Sequence, residues 1–414
     1  MPRSSFGTDI MSRLDQLAAI SESSKGLTRR YLTREHRRAN DLVGSWMREA
    51  GMAVREDAVG NIIGRYEGET RGLPAVLIGS HLDTVVMAGR YDGMLGVVSG
   101  IECVRALDAE NVRLSHAVEV VGFADEEGAR FQSTYLGSRA IAGRFDPDVL
   151  RRRDRDGINM ADAMREFGLD PARIGEAMRD PEDFLAYLEV HIEQGPVLES
   201  EGLALGSVTT VSGANRLKVE IRGEPGHAGT VPMKKRHDAL VAASECVLVV
   251  SEIAEASPNT VGTVGQLTIG GGGASNVIPG NVSLSVDIRA ADDEVRWAAV
   301  TLFEESAAKI AERRSIQIDI DRVHEASSVN CAPWIIEQID RVIVEQGGRP
   351  FQLPSGAGHD AAAMSDVTDV GMIFVRCRGG VSHCPTESIA EEDAVAGAHL
   401  LSNIVRNFRR QIVS

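Results

Sequence analysis

Apolar positions recur at helical spacing through residues 8–52, most clearly in ANDLVGSWMREAG, where Gly51 ends the run. Short β-rich stretches follow, AVREDAVGNIIGRYE and then AVLIGSHLD. A glycine-rich turn, AGRYDGMLG, leads into the helical VVSGIECVRAL, and SHAVEVVGFADEEG reads as a buried strand ending in acids. Strands alternating with helices predict an α/β domain with a mostly parallel central sheet, and ligands at the strand C-termini. The texture changes near Val211. NRLKVEIRG alternates as a strand does, and DALVAASECVLVVSEIAEA is helical. TVGTVGQLTI and NVSLSVDIRA are strands, DEVRWAAVTLFEESAAKIAERR is a helix, and SIQIDIDRVHE is a strand. That β-α-β-β-α-β order is the ferredoxin-like pattern. It predicts an α+β domain at 212–327 inserted between two parts of the first, 1–211 and 328–414. The second part contributes the helix IIEQIDRVIVEQGG and the strand GMIFVRC.

Composition narrows the function classes. The 414 residues are enough for two domains and a sizeable core. A net charge of −16 argues against a nucleic-acid partner, which needs clustered Lys and Arg. The five cysteines are odd in number and form no C-x-x-C pair, which fits a reducing, cytoplasmic setting. MPRSSFGTDIMSRLDQLA holds no apolar core of a signal peptide, and no run of 18 apolar residues occurs, so no membrane partner is expected. The charge run RRRDRDG at 151–157 reads as a solvated segment. The glycines at 270–273 read as a loop between strands, since no Lys-Ser/Thr follows to hold a phosphate.

The candidate chemistry gathers at strand ends. His81 in GSHLDTV closes a buried run, and Asp83 shares its face and can accept the second ring N–H. Asp92 sits in the glycine-rich turn YDG. Glu126 and Glu127 end an apolar strand, where one could ligate a metal while the other acts as general base. His191 ends the run LEVHIEQG, and His383 lies in GGVSHCPTE after the apolar GMIFV. Each piece alone has an ordinary account: a satisfied core histidine, a turn aspartate, a solvated strand end. Together the histidines and carboxylates suit zinc, manganese, cobalt or nickel.

The ordered motifs GSHLDTV, YDG-x-LGV, DEEGARF, HIEQGPVLE, GHAGTVPM, SGAGHDA and GVSHCPTE resemble the dinuclear-metal amidohydrolases of the aminoacylase and carboxypeptidase superfamily. More narrowly, they are similar to the branch of N-carbamoyl-L-amino acid hydrolases, allantoate amidohydrolases and β-ureidopropionases, from about residue 25 to residue 390. The resemblance implies two divalent ions. His81, Asp92 and His191 would hold one, and Asp92 would bridge to the second, held also by Glu127 and His383. Glu126 would be the general base and acid, with Asp83 behind His81. His227, supplied by a partner subunit, would meet the oxyanion, and Asn276 and Arg289 would contact the substrate. Gln194 and, by extension, His359 would be further substrate contacts. The inserted domain would serve as lid and dimerisation surface of a homodimer. The implied substrate is a small ureido acid, such as allantoate or an N-carbamoyl-L-amino acid, with release of ammonia and CO2. An aminoacylase or dipeptidase on the same scaffold is the alternative. Where relatives often show FVPS, this chain has FVRCRGGVSHCP. Arg376, Cys377, Arg378 and Cys384 are therefore departures close to the expected substrate pocket, and Cys384 beside His383 reads as a small apolar filler, with a thiolate ligand as the alternative.

Overall fold

A computed structural model describes residues 3–409. The chain divides into two compact units. One comprises the residues up to Thr209 together with Asn330–Leu353 and the chain from His359 onward; the other comprises Thr210–Val329 and Pro354–Gly358.

The first unit is built on a nine-stranded sheet. Its centre runs in the order Ala117–Phe123, Ala75–His81, Phe184–Ile192, Val370–Val375, and all three pairings are parallel. Ala75–His81 and Ala117–Phe123 are buried at every position, as expected of parallel strands covered on both faces. Antiparallel pairs flank these four strands. Ile62–Tyr66 joins Ala117–Phe123 antiparallel and pairs with Ala53–Glu56 as a hairpin, while Leu205–Val211 joins Val370–Val375 antiparallel. The sheet is thus mixed, and of these pairs only the hairpin at 53–66 owes its antiparallel pairing to a short connection. The helix Met94–Ala109 is buried almost all round. It packs on the strand Ala75–His81 beneath the helices Arg3–Ala18 and Glu391–Arg406, and Ile10, Leu14, Val97, Ile101, Leu401 and Ile404 share one apolar core there.

The helical run expected over 8–52 is two helices, Arg3–Ala18 and Arg34–Glu49. Between them the Ser21 hydroxyl group accepts the N–H groups of Ser23 and Thr28, and the Thr33 side chain caps the second helix at His36 N. Such local bonds offer the backbone an alternative to the helix. Gly51 follows the second helix at φ 80°, a conformation glycine adopts without strain.

The second unit is an antiparallel four-stranded sheet in the order Gln317–Ala326, Gly213–Arg222, Asn281–Ala290, Thr260–Ile269. The helices Ala239–Ala256 and Asp293–Arg314 pack on one face, where Val219, Ile221, Cys246, Leu284, Val286 and Phe303 are buried. This is the ferredoxin-like order. Alternation in Asn281–Ala290 turns Val282, Leu284, Val286 and Ile288 toward the helices and leaves Asp287 and Arg289 on the opposite face. Among the described residues no helix is long and apolar enough to cross a membrane.

Candidate functional site

His81 and His191 stand at or next to the C-terminal ends of two adjacent parallel strands. His81 Nδ1 lies 2.9 Å from the Asp83 carbonyl oxygen and His191 Nδ1 lies 2.8 Å from that of Ile192. A carbonyl only accepts, so each Nδ1 carries a proton and each Nε2 presents its lone pair, that of His191 also to the Gly93 N–H at 3.3 Å. Both Nε2 atoms face one oxygen of Asp92: His81 at 3.3 Å and His191 at 3.1 Å from Oδ1. Room for this meeting depends on Gly93, at φ 73°, because a Cβ there would come within 2.5 Å of the His81 ring.

The other oxygen of Asp92 looks the opposite way. Its Oδ2 is 3.2 Å from His383 Nε2, which is itself 3.6 Å from Glu127 Oε1. Two sets of metal-ligand groups therefore share Asp92: His81, Asp92, His191, and Asp92, Glu127, His383. The ligand atoms within each set lie within 4.8 Å of one another, and the same holds for His81, Glu126 and Glu127. The donor types and the two-sided presentation of Asp92 fit a dinuclear centre of borderline or oxygen-preferring divalent ions.

Charge supports the same conclusion. The carboxyl groups of Asp83, Asp92, Asp125 and Glu126 are buried in one place, with the partly buried Glu127 beside them. Each buried ion costs several kcal/mol unless it is compensated. Protons supply the compensation when cations do not. Burial opposes a charged His81, but hydrogen bonding to Asp92 and the charges of Glu126, Asp92 and Asp83 raise it well above the usual imidazole range. His383 is raised to about 9 by its hydrogen bond to Asp92, against the effect of burial. Asp92 is buried as well, yet its bonds to His191, His383 and His81 hold it well below the ordinary carboxylate range. Burial and Asp92 lift Glu127 to about 7.

Three site residues other than glycine have left-handed backbone: Asp125, Gln194 and His383, at φ 56°, 58° and 56°. Strain of this kind persists where the surroundings hold it in place, and it gathers at functional positions.

Asp83 serves the site differently from the sequence expectation. Its carboxylate is 3.9 Å from His81 Nδ1, too far for a hydrogen bond, and His81 is held by the Asp83 main chain instead. The carboxylate accepts the N–H groups of Glu126 at 3.0 Å and Glu127 at 3.2 Å. The strand end curls so that the carbonyl reaches the ring first, which frees the side chain for the neighbouring turn. The Gln194 amide donates to Asp92 Oδ2 at 3.0 Å and to Ser382 Oγ at 3.2 Å. His359 is buried, with its ring edge-on to His191 at 4.5 Å between centroids. Burial and the neighbouring His191 push it well below the usual range, so it is a neutral ring.

His227, Asn276 and Arg289 belong to the second unit. His227 is exposed on a two-stranded ribbon with Val277–Ile278, and the Asn276 carbonyl accepts Ala228 N–H at 2.9 Å. The Arg289 guanidinium binds both oxygens of Asp287, at 2.9 and 3.1 Å, and the Gly356 carbonyl at 2.8 Å. The fork expected to meet a substrate carboxylate is thus engaged by Asp287. Sequence reasoning missed Arg216, which binds Asp287 at 3.1 Å on the same sheet face and lines a cavity of about 790 Å³ with Lys218 and Arg289. Its signal was present: Arg216 lies opposite Asp287 in an alternating strand pair. Also missed was Glu189, which takes hydrogen bonds from Ser80, Tyr187 and the Ala361 N–H beneath the site.

The comparisons agree with this architecture. A family model described as peptidase family M20/M25/M40 matches residues 77–407. An N-carbamoyl-L-amino acid amidohydrolase of Geobacillus stearothermophilus is 44% identical over 403 residues, covering 96% of this chain and 98% of the relative. A probable allantoate deiminase of Oryza sativa subsp. japonica is 41% identical, covering 95% and 87%. The crystal structure of an amidase of the hydantoinase/carbamoylase family from Burkholderia multivorans superposes with a TM-score of 0.91 at 32% identity, covering 97% of each chain. Fold, ligand sets and matches together define an amidohydrolase-type enzyme. The chain belongs to peptidase family M20/M25/M40, in its hydantoinase/carbamoylase branch.

Proposed function

We propose that this enzyme hydrolyses a C–N bond of the ureido group on a small acid, an N-carbamoyl-L-amino acid or allantoate. The observation that carries this reading is Asp92 presenting one oxygen to His81 and His191 and the other to His383, with Glu126 and Glu127 alongside. His81, Asp92 and His191 would hold one divalent ion, and Asp92, Glu127 and His383 the other, with zinc, manganese, cobalt or nickel all compatible with these donors. When bound, such a pair polarises a carbonyl and acidifies a water.

The remaining chemistry belongs to the chain. Glu126 takes the proton of the attacking water and passes it to the leaving nitrogen. Without cations, burial lifts its carboxyl group well above the usual range, with His81 opposing and Glu127, Asp360 and Asp83 reinforcing. Asp83 holds the Glu126–Glu127 turn through its two N–H groups. Cleavage of either C–N bond leaves a carbamic acid, which breaks down to CO2 and an amine, so the final products are CO2, ammonia and the freed amine. Arg289 would meet the substrate carboxylate, Asn276 the ureido group and His227, donated by a partner subunit, the oxyanion, with Gln194 and His359 as further substrate contacts. The inserted unit would form the interface of a homodimer. The setting would be the cytoplasm.

The test is a substrate panel after chelation and after return of Mn²⁺, Co²⁺, Ni²⁺ or Zn²⁺. Allantoate, N-carbamoyl-L-amino acids and N-carbamoyl-β-alanine are compared with N-acetyl-amino acids and dipeptides. Metal-dependent turnover of a ureido acid is the expected result. Preference for the acetyl or peptide substrates, or full turnover after verified metal removal, would overturn the proposal.

A further inference from the structure

His383 is the least secured of the ligand-type side chains. His81, Asp92 and His191 are almost wholly buried, and both imidazoles are anchored through Nδ1. The His383 side chain is 51% exposed, and it lies in a loop at left-handed φ. Among the described ion pairs its Nε2 meets Asp92 and Glu127, the groups with which it would share a cation. Something other than packing must place this loop against the Asp92 turn.

Glu387 does so. This buried carboxylate lies four residues after His383 and pairs with no cationic side chain among the described ion pairs. Its Oε1 accepts the N–H groups of Tyr91 at 2.8 Å and of Asp92 at 3.2 Å, across 296 and 295 residues of chain. Its Oε2 accepts the hydroxyl group of Ser382, the residue before His383, at 2.8 Å. The same hydroxyl group lies 3.4 Å from Asp92 Oδ2 and receives the Gln194 amide at 3.2 Å. One carboxylate therefore ties the backbone of the shared ligand Asp92 to the backbone that carries His383. Hydrogen bonds to a charged acceptor are about twice as strong as neutral ones, which suits a clamp between two loops. Space for it is provided by Gly89, where a Cβ would come within 2.1 Å of the Glu387 carboxyl carbon.

We propose that Glu387 is a positioning residue that sets the affinity of the cation site formed by Asp92, Glu127 and His383, by clamping the Asp92 turn to the His383 loop. The proposal rests on the two-cation reading above. Loss of the clamp moves His383 relative to Asp92, whereas His81 and His191 stay on their strands. The second cation is therefore weakened more than the first. A glutamine preserves the clamp, since its amide oxygen accepts the two N–H groups and its NH₂ donates to Ser382 Oγ.

The experiment is calorimetric titration of the full-length, metal-stripped protein with Co²⁺ and Zn²⁺, with bound metal per chain counted and the visible spectrum of the Co²⁺ form recorded. Wild type is expected to bind two ions. Glu387→Ala is expected to bind the second roughly 10–100-fold more weakly and to alter the Co²⁺ spectrum, and Glu387→Gln to stay within about threefold of wild type. Gly89→Ala leaves every polar group of the site in place and pushes a methyl group into the clamp, so it is expected to behave like Glu387→Ala. It also decides the matter if Glu387→Ala does not fold. Two ions bound with wild-type affinity in either alanine variant, or equal losses in Glu387→Gln and Glu387→Ala, would overturn the clamp. Fewer than two ions in the wild type would instead overturn the two-cation reading on which it rests.

Discussion

The Asp83 carboxylate accepts the N–H of Glu126 at 3.0 Å, across 43 residues, although it stands only two residues from His81. With Glu127 N–H at 3.2 Å on its other oxygen, Asp83 orders the turn that carries both glutamates. Asp83→Ala is therefore expected to act through that turn. Cation affinity and turnover should both fall, on the order of 10–100-fold, as for other outer partners of metal ligands. Metal analysis together with steady-state kinetics checks this. Unchanged values for both would show that the turn holds without the carboxylate.

The two glutamates should separate in their effects. Glu126→Gln is expected to keep its metals and to lose about 10²–10⁴-fold in kcat, because a carboxamide cannot take the proton from water. Glu127→Gln should lower metal occupancy first. Occupancy by elemental analysis beside single-turnover rates distinguishes them, and the reverse pattern would exchange the two roles.

Arg289 already binds Asp287 through both oxygens. A substrate carboxylate would have to share that guanidinium group with Asp287. Arg289→Lys is expected to raise KM for ureido acids, since the planar fork is lost. Substrates lacking the carboxylate should be poor for the wild type and nearly indifferent to the change. Equal losses on both substrate types would mark Arg289 as the structural partner of Asp287 alone.

His227 is exposed on its ribbon, and the family resemblance has a partner subunit donate it. Co-expression of Glu126→Ala and His227→Ala chains tests this. In a mixed dimer one site inherits both lesions and the other neither. With random mixing, recovered activity should approach roughly a quarter of wild type. Activity no higher than that of the two parents, with mixed dimers confirmed by differential tags, would show that each subunit uses its own His227.

The sequence by itself determined what local order can encode. Alternation and all-apolar runs located the strands, because burial of a strand's faces is written in a two-residue period. His81 and His191 were legible for the same reason: each closes a buried run, where a polar side chain needs a purpose. The β-α-β-β-α-β order of the second unit followed from periodicity as well. Only the tertiary structure decided which polar groups meet. Asp83 reaches Glu126, Gln194 reaches Asp92, Glu387 reaches Tyr91 and Asp92, and Arg216 shares Asp287 with Arg289. Apart from Arg289–Asp287, these bonds join residues tens to hundreds of positions apart, and a carboxylate looks the same in sequence whichever donor it will accept. The antiparallel outer strands and the break between the first two helices were likewise settled by pairing partners and side-chain-to-backbone bonds. Neither leaves a trace in hydrophobic spacing, because spacing records which face is buried and not what lies against it.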